Sequence, residues 1–314
     1  MIHLGAAMRH PAPSTLAPAL RMSDDSRGLL LGLAGVAIFS LTLPFTRMAV
    51  AAFDPLLLTL GRALGAALLA ACWLRRARAP LPARADLRGL AIVAGGCVIG
   101  FPLLTSIALR SLPASHGAVL VGVLPLCTAL YAALRGHERP SRGFWLLAAL
   151  GAALVVGFAL AQGGGSLHLA DLLMFGAVAS AAAGYAEGGR LARRIGGPET
   201  IGWALLLAAP PIALALALTL DAGQAARLAA AGPGAWLAFG YVTVFSMFVG
   251  FIFWYRGLAL GGVARVGQVQ LLQPFLSLAG AALLLGEPLT LANCAFALAV
   301  IAVVALGRRM QVRR

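Results

Sequence analysis

Ten apolar stretches, each close to twenty residues long, constrain the fold of this chain more than any other feature. A helix needs about 20 apolar residues to cross the hydrocarbon core of a bilayer, which is about 30 Å thick. We therefore predict an all-α integral membrane protein with ten transmembrane helices. To within a few residues, they cover 28–49, 55–74, 87–109, 115–134, 143–161, 168–189, 200–220, 235–255, 264–285 and 290–307.

The composition supports the bilayer as the main partner. Hydrophobic residues make up 61% of the chain and charged residues only 11%, whereas a soluble domain carries about 25% charged residues. The net charge of +14 comes entirely from arginines in short clusters between the apolar stretches. Because they do not gather on one segment, we expect no nucleic-acid partner. The four cysteines are solitary, so neither a metal site nor a cofactor is expected.

The distribution of arginine predicts the topology. If the N-terminus is cytoplasmic, 20 of the 24 arginines fall in cytoplasmic segments, and such an excess sets orientation in membrane proteins. We predict a multi-pass protein of the inner membrane with both termini in the cytoplasm. Residues 1–27 are expected to form a disordered tail, with Met22 as an alternative start, and residues 308–314 a second tail.

One spacing occurs twice along the chain. Pro125 is followed thirteen positions later by Glu138, and Pro274 in the same way by Glu287, a shift of 149 residues. With five apolar stretches in each half, an odd number, the second half must enter the membrane from the opposite side. We predict two inverted five-helix repeats, 28–161 and 168–307, an architecture found in transporters. Chance similarity between alanine- and leucine-rich stretches is the alternative.

The ends of the two repeated stretches resemble a known family. Gly286-Glu287-Pro288-Leu289, the earlier His137-Glu138-Arg139-Pro140, and Arg62 in the second stretch are similar to EamA-type members of the drug/metabolite transporter superfamily. The resemblance implies ten helices and an inner-membrane carrier for small metabolites. One departure is His137, which stands where the second copy has Gly286.

These observations favour a secondary transporter over an enzyme. We expect an exporter of small metabolites, such as amino acids or related amphipathic compounds, that works by alternating access. A non-transporting receptor or scaffold and a passive channel are the alternatives. No histidine falls in the middle of a stretch, and the chain has neither a nucleophile elbow nor a phosphate-binding glycine loop with its lysine. Substrate, coupling ion and oligomeric state stay open.

Several polar and aromatic residues inside the apolar stretches are candidates for the substrate site. Arg62 is expected to bind an anionic group in a cavity, because a charge at that depth is costly; bonding to helix carbonyls is the alternative. Pro125 and Pro274 are predicted helix breaks near the middle of the membrane. The other candidates for substrate contact are Gln270, Gln273, Tyr185 and Tyr241.

The acidic residues near helix ends have other predicted roles. Glu187 is interpreted as the only acid inside a stretch, either a protonatable coupling group or the partner of Arg190 three residues on. At about 1.5 Å per residue, Glu187 and Arg62 are predicted to lie about 15 Å apart in depth, too far for a salt bridge. Glu138 and Glu287 are predicted to be structural, each capping the start of the next helix.

Overall fold

The computed structural model describes residues 23–135, 139–262, 266–309 and 312–313. Nine helices in these ranges are long and apolar enough to cross a membrane. They are α1 (Asp24–Val50), α2 (Pro55–Arg76), α3 (Arg84–Ala108), α4 (Ala114–Arg135), α5 (Arg142–Gln162), α6 (Leu169–Ile195), α7 (Gly197–Thr219), α8 (Pro233–Gly261) and α9 (Gly267–Leu285). The multi-span, all-helical prediction is thus confirmed for the described part of the chain.

The tenth predicted span is a helix with a shorter apolar part. This helix, α10, covers Leu291–Arg309, and its apolar stretch runs only from Leu291 to Leu306. Apart from the helices, two-residue strands β1 (Arg139–Pro140) and β2 (Val312–Arg313) pair antiparallel. A short helix, Ala222–Ala230, connects α7 to α8.

Side chains that precede the helices determine where they begin. Ser23 accepts a hydrogen bond from the backbone N–H of Ser26 at 3.2 Å, so α1 starts at Asp24, within the predicted tail. The rest of that tail, residues 1–22, lies outside the described residues. Asp54 likewise accepts from Leu56 N at 2.9 Å, and Pro55 occupies the first position of α2. A proline is favoured there because that position has no helical acceptor for an N–H.

The helices of the first half pack chiefly against those of the second half. The main contacts join α1 to α8 and α9, α2 to α7 and α8, α3 to α6 and α7, α4 to α6 and α9, and α5 to α10. Each pair takes one helix from residues before 163 and one from residues after 168. Within the described residues, the two halves of the chain therefore pack together as one helical bundle.

Glycines permit the closest of these helix crossings. A Cβ atom at Gly28 in α1 would lie 2.5 Å from the backbone nitrogen of Gly261 in α8. A Cβ atom at Gly96 in α3 would lie 2.3 Å from the carbonyl oxygen of Ser180 in α6. Because lipid tails are as apolar as the helices, close backbone packing of this kind is a main source of attraction between spanning helices.

Candidate functional site

Five spanning helices contain a part without regular α-helical geometry, and residues in or next to these parts line one cavity. The irregular positions are Leu41 in α1, Ala94–Gly100 in α3, Gly122 and Val123 in α4, Tyr241–Val249 in α8 and Gly267–Leu272 in α9. The segments in α3 and α8 are π-helical and that in α9 is a 3-10 helix. Such segments often mark functional sites, because they redirect side chains and free backbone groups.

The two predicted prolines lie at equivalent places in these irregularities. Pro125 is the second residue of the α-helical segment Leu124–Arg135, and Pro274 is the second residue of Gln273–Leu285. Proline fits the first turn of a helix without cost, whereas in the interior it removes a backbone hydrogen bond and crowds the preceding turn. Each proline therefore marks where a new α-helical segment starts inside α4 and α9.

The cavity is small in this conformation. Its volume is about 20 Å³, whereas holding one water takes at least about 10–15 Å³. The lining side chains come from α1, α2, α3, α4, α6, α8 and α9, and include Phe39, Thr42, Arg62, Cys97, Phe101, Pro102, Val121, Leu124, Tyr185, Ser246, Phe251 and Gln273. The helices would have to move before a metabolite could enter.

Among the described residues that line the cavity, Arg62 is the one that carries a charge. It is only 2% exposed, and its NH2 nitrogen donates to Ser246 Oγ at 3.2 Å. Ser246 Oγ lies 2.8 Å from Thr42 Oγ1, so α1, α2 and α8 meet through one hydrogen-bonded chain. The Nε and NH1 atoms of Arg62 have no partner, and no carboxylate of a described residue lies within 4.0 Å of the guanidinium.

Two further candidates share the cavity with Arg62. Gln273 is 7% exposed, and its Oε1 atom has no hydrogen-bond partner among the residues that the structure describes. Tyr185 packs with Phe251 at a ring-centroid distance of 5.9 Å and with Phe39 at 6.1 Å. The sequence candidates Arg62, Gln273 and Tyr185 are thus brought together from α2, α9 and α6.

Gln270 and Tyr241 lie outside this cavity lining. Gln270 belongs to the 3-10 segment of α9 and is 3% exposed, and its Nε2 atom has no partner in the described part of the chain. Tyr241 donates its hydroxyl to the carbonyl of Ile38 at 2.9 Å and stacks on Phe45 at 4.1 Å. Tyr241 therefore connects α8 to α1 in this conformation.

Glu187 is held by two arginines. Its carboxylate lies 2.8 Å from Arg190 and 3.0 Å from Arg135 at the end of α4, while its side chain is only 2% exposed. The sequence indicated the Arg190 contact but not the Arg135 contact. Arg62 is not among the partners of Glu187 within 4.0 Å. Glu187 therefore joins α6 to the end of α4 through Arg135.

Glu287 caps a helix, but not the one that the sequence indicated. Its two carboxylate oxygens accept hydrogen bonds from the backbone N–H groups of Ala114 and Ser115, both at 2.8 Å. These groups begin α4, not the following helix α10, so the predicted partner is corrected. The helix N-terminus attracts the carboxylate because its first N–H groups lack intrahelical acceptors. Glu138 lies outside the described residues.

Two buried acids of the spanning helices were missed. Asp171 in α6 lies 2.7 Å from His116 Nε2 in α4, and Asp86 in α3 lies 2.9 Å from Arg194. The prediction that Glu187 is the only acid inside a span is therefore wrong. Asp171 follows His168 by three residues and accepts its backbone N–H, a helix-start pattern that could have marked it.

The arrangement is suited to binding a charged group. Among the described residues, no three His, Cys, Asp or Glu side chains come close enough to hold a metal ion. The cavity instead offers an arginine with free donors, an amide, two hydroxyl groups from Thr42 and Ser246, and aromatic walls.

Known proteins resemble this chain over nearly its whole length. The profile of the EamA-like transporter family matches residues 26–160 and again residues 168–307. A Bacillus subtilis (strain 168) protein described as "Uncharacterized transporter YdeK" is 48% identical over 289 residues, which is 92% of this chain and 99% of that protein.

A solved structure titled only "Crystal structure of protein" has the same fold. It superposes with a TM-score of 0.61 over 90% of this chain and 96% of its own, at 19% identity. The two family matches, the relative matched over 99% of its own length and the nine spanning helices of the described residues agree with one another. The chain is a multi-pass membrane protein that belongs to the EamA-like transporter family.

Proposed function

We propose that this protein is a secondary transporter that exports small amphipathic metabolites, among them amino acids or related compounds, across the inner membrane by alternating access. The observation that carries the proposal is Arg62. It is buried in a central cavity formed by irregular helices, with two nitrogens unpartnered. An uncompensated charge in a membrane interior is costly and is usually retained for a ligand, an ion or a pathway.

An inverted repeat supports alternating access. The family match occurs twice, and the proline-led helical segments of α4 and α9 start 149 residues apart. The π-helical segments of α3 and α8 end at Gly100 and Val249, again 149 residues apart. We take residues 28–161 and 168–307 as the two repeats.

The helix pairs are also consistent with an axis that exchanges the repeats. Under such an exchange α1 replaces α6 and α3 replaces α8, so the α1–α8 pair becomes the α6–α3 pair, and both pairs are present. The pairs α2–α7, α4–α9 and α5–α10 each map onto themselves. Five helices per repeat then place the two copies in opposite orientations, and rocking of one against the other would open the cavity to each side in turn.

Ion pairs and hydrogen bonds join the helices on both sides of the cavity, as expected for a carrier whose cavity is closed to both faces of the membrane. On one side of the cavity, Glu187 ties α6 to the end of α4, and Asp86 ties α3 to α6. Towards the start of α4, the His116–Asp171 pair and Glu287 make corresponding connections. By the arginine distribution the first end is cytoplasmic, with both termini on that side.

Reconstitution into liposomes tests the proposal. The purified chain should move labelled amphipathic compounds in response to their gradients, and unlabelled substrate on the far side should accelerate that movement. Absence of gradient-dependent flux for every class, with ligand binding retained, would favour a receptor. Flux without acceleration from the far side would favour a passive channel. Liposomes without protein and liposomes with heat-inactivated protein are the controls.

A further inference from the structure

The two walls of the central cavity differ in polarity. The arginine, the amide and the two aliphatic hydroxyl groups all come from α1, α2, α8 and α9. The side chains from α3, α4 and α6 are apolar, apart from the Cys97 thiol and the Tyr185 hydroxyl. A ligand that satisfies both walls must carry its polar group at one end and an apolar body at the other.

The internal repeat makes this difference visible position by position. A shift of 149 residues relates Leu124 to Gln273 and Cys97 to Ser246, and all four side chains line the cavity. At both pairs the more polar member belongs to the second repeat. The same cavity position is therefore less polar on the α3 and α4 side than on the α8 and α9 side.

The charges around the cavity indicate which charge the polar group of the ligand carries. Arg62 supplies one positive charge, and none of the described residues that line the cavity is acidic. The described acids near the cavity helices are engaged elsewhere, Glu187 by two arginines and Asp171 by His116. A ligand with one negative charge makes the occupied cavity neutral, whereas a zwitterion leaves it positive and a cation adds a second positive charge. Low dielectric makes these differences large.

We propose that the central site selects monocarboxylates with an apolar body over zwitterions and cations of the same shape. The carboxylate lies against Arg62, and the body lies against the wall formed by α3, α4 and α6. The inference rests on the proposed function, since it names the substrate class of the same cavity. Gln273 provides a second polar contact on the Arg62 side, where its amide NH2 group can donate to the carboxylate.

Three compounds that share a phenyl-ethyl body test the charge rule. They are 3-phenylpropanoate, an anion; phenylalanine, a zwitterion; and phenethylamine, a cation. We expect calorimetry on the full chain in detergent to show affinity falling in that order, with the anion at least about tenfold tighter than the cation, because only the anion neutralises the buried guanidinium. Equal affinities, a reversed order or no binding of any of the three would overturn the proposal.

Amino-acid substitutions test which residues cause the preference for the anion. Arg62→Gln should remove most of the anion preference, and Arg62→Lys should restore only part of it, because lysine keeps the charge but lacks the planar fork. The matched pair Gln273→Leu and Leu124→Gln changes the same repeat position on opposite walls. Both variants should weaken the binding of 3-phenylpropanoate and preserve the order of affinity of the three compounds. This pair also tests the proposal if the Arg62 variants fail to fold. Loss of that order in Leu124→Gln alone would contradict the assigned orientation.

Flux in liposomes separates this inference from the proposed function. Movement of phenethylamine without movement of 3-phenylpropanoate would leave a carrier and overturn the monocarboxylate site. Selective binding of 3-phenylpropanoate with no flux of any compound would support the site and overturn the carrier.

Discussion

The contact of Glu287 with the start of α4 gives the sharpest stability prediction. The carboxylate joins the loop after α9 to the first turn of α4 through two hydrogen bonds of 2.8 Å, one to Ala114 and one to Ser115. A hydrogen bond to a charged group contributes about 1.5–3 kcal/mol, and the lower value applies because Glu287 is half-buried. Glu287→Ala should therefore lower the free energy of unfolding by about 3 kcal/mol.

Glu287→Gln should have a smaller effect. The amide keeps one acceptor oxygen but loses the charge at the helix N-terminus, so a loss of about 2 kcal/mol is expected. Thermal unfolding in detergent measures both, with midpoints lowered by roughly 5 °C for alanine and somewhat less for glutamine. Binding of cavity ligands should change little, because Glu287 does not line the cavity.

Asp221 provides the matched control. Its carboxylate also accepts a backbone N–H at a helix start, that of Gln224, at 2.6 Å, but within its own short helix Ala222–Ala230. Asp221→Ala should cost about 1 kcal/mol or less overall, since only a connecting helix frays. If Glu287→Ala lowered the unfolding midpoint no more than Asp221→Ala, the contact of Glu287 with the start of α4 would not stabilise the packing of the two halves.

Three further predictions concern other buried contacts. Glu187→Gln should lower stability by about 2 kcal/mol, because Arg135 and Arg190 lose their shared partner, while the response of flux to a pH gradient stays unchanged; normal stability with a lost pH response would assign Glu187 to coupling. Gly96→Ala should lower the folded yield sharply, since its Cβ would meet the Ser180 carbonyl oxygen at 2.3 Å, whereas Gly95→Ala, whose Cβ meets nothing within 4 Å, should not; equal yields would contradict the α3–α6 packing. His116→Ala should destabilise more than the double variant with Asp171→Asn, because the single change leaves a buried carboxylate without its imidazole; thermal unfolding of both variants decides.

Local sequence signals were sufficient where a backbone rule acts on its own. Proline cannot occupy a helix interior without cost, so Pro125 and Pro274 indicated breaks, and α-helical segments start beside each of them. The apolar stretches similarly indicated the spanning helices, because the bilayer requires a certain length. Arg62, Gln273 and Tyr185 stood out as polar or aromatic groups in such stretches, and all three line one cavity.

Contacts between distant helices could not be obtained in this way. Glu287 meets residues 173 and 172 positions away, and His116 meets Asp171 across 55. No local pattern encodes such distances; they follow from how the helices pack. The 3-10 and π-helical segments change the angular register of the side chains after them. A regular α-helical register therefore could not place Gln270 or Tyr241 correctly around the cavity.

Access to the cavity from both sides of the membrane is the central claim, and Cys97 can report on it. This thiol lines the cavity and is 3% exposed in the closed conformation. With Cys72, Cys127 and Cys294 replaced by alanine, it becomes the only thiol of the chain. A membrane-impermeant thiol reagent should label Cys97 in right-side-out and in inside-out vesicles, more slowly in each when 3-phenylpropanoate is present. Labelling from one face alone, or from neither, would contradict alternating access.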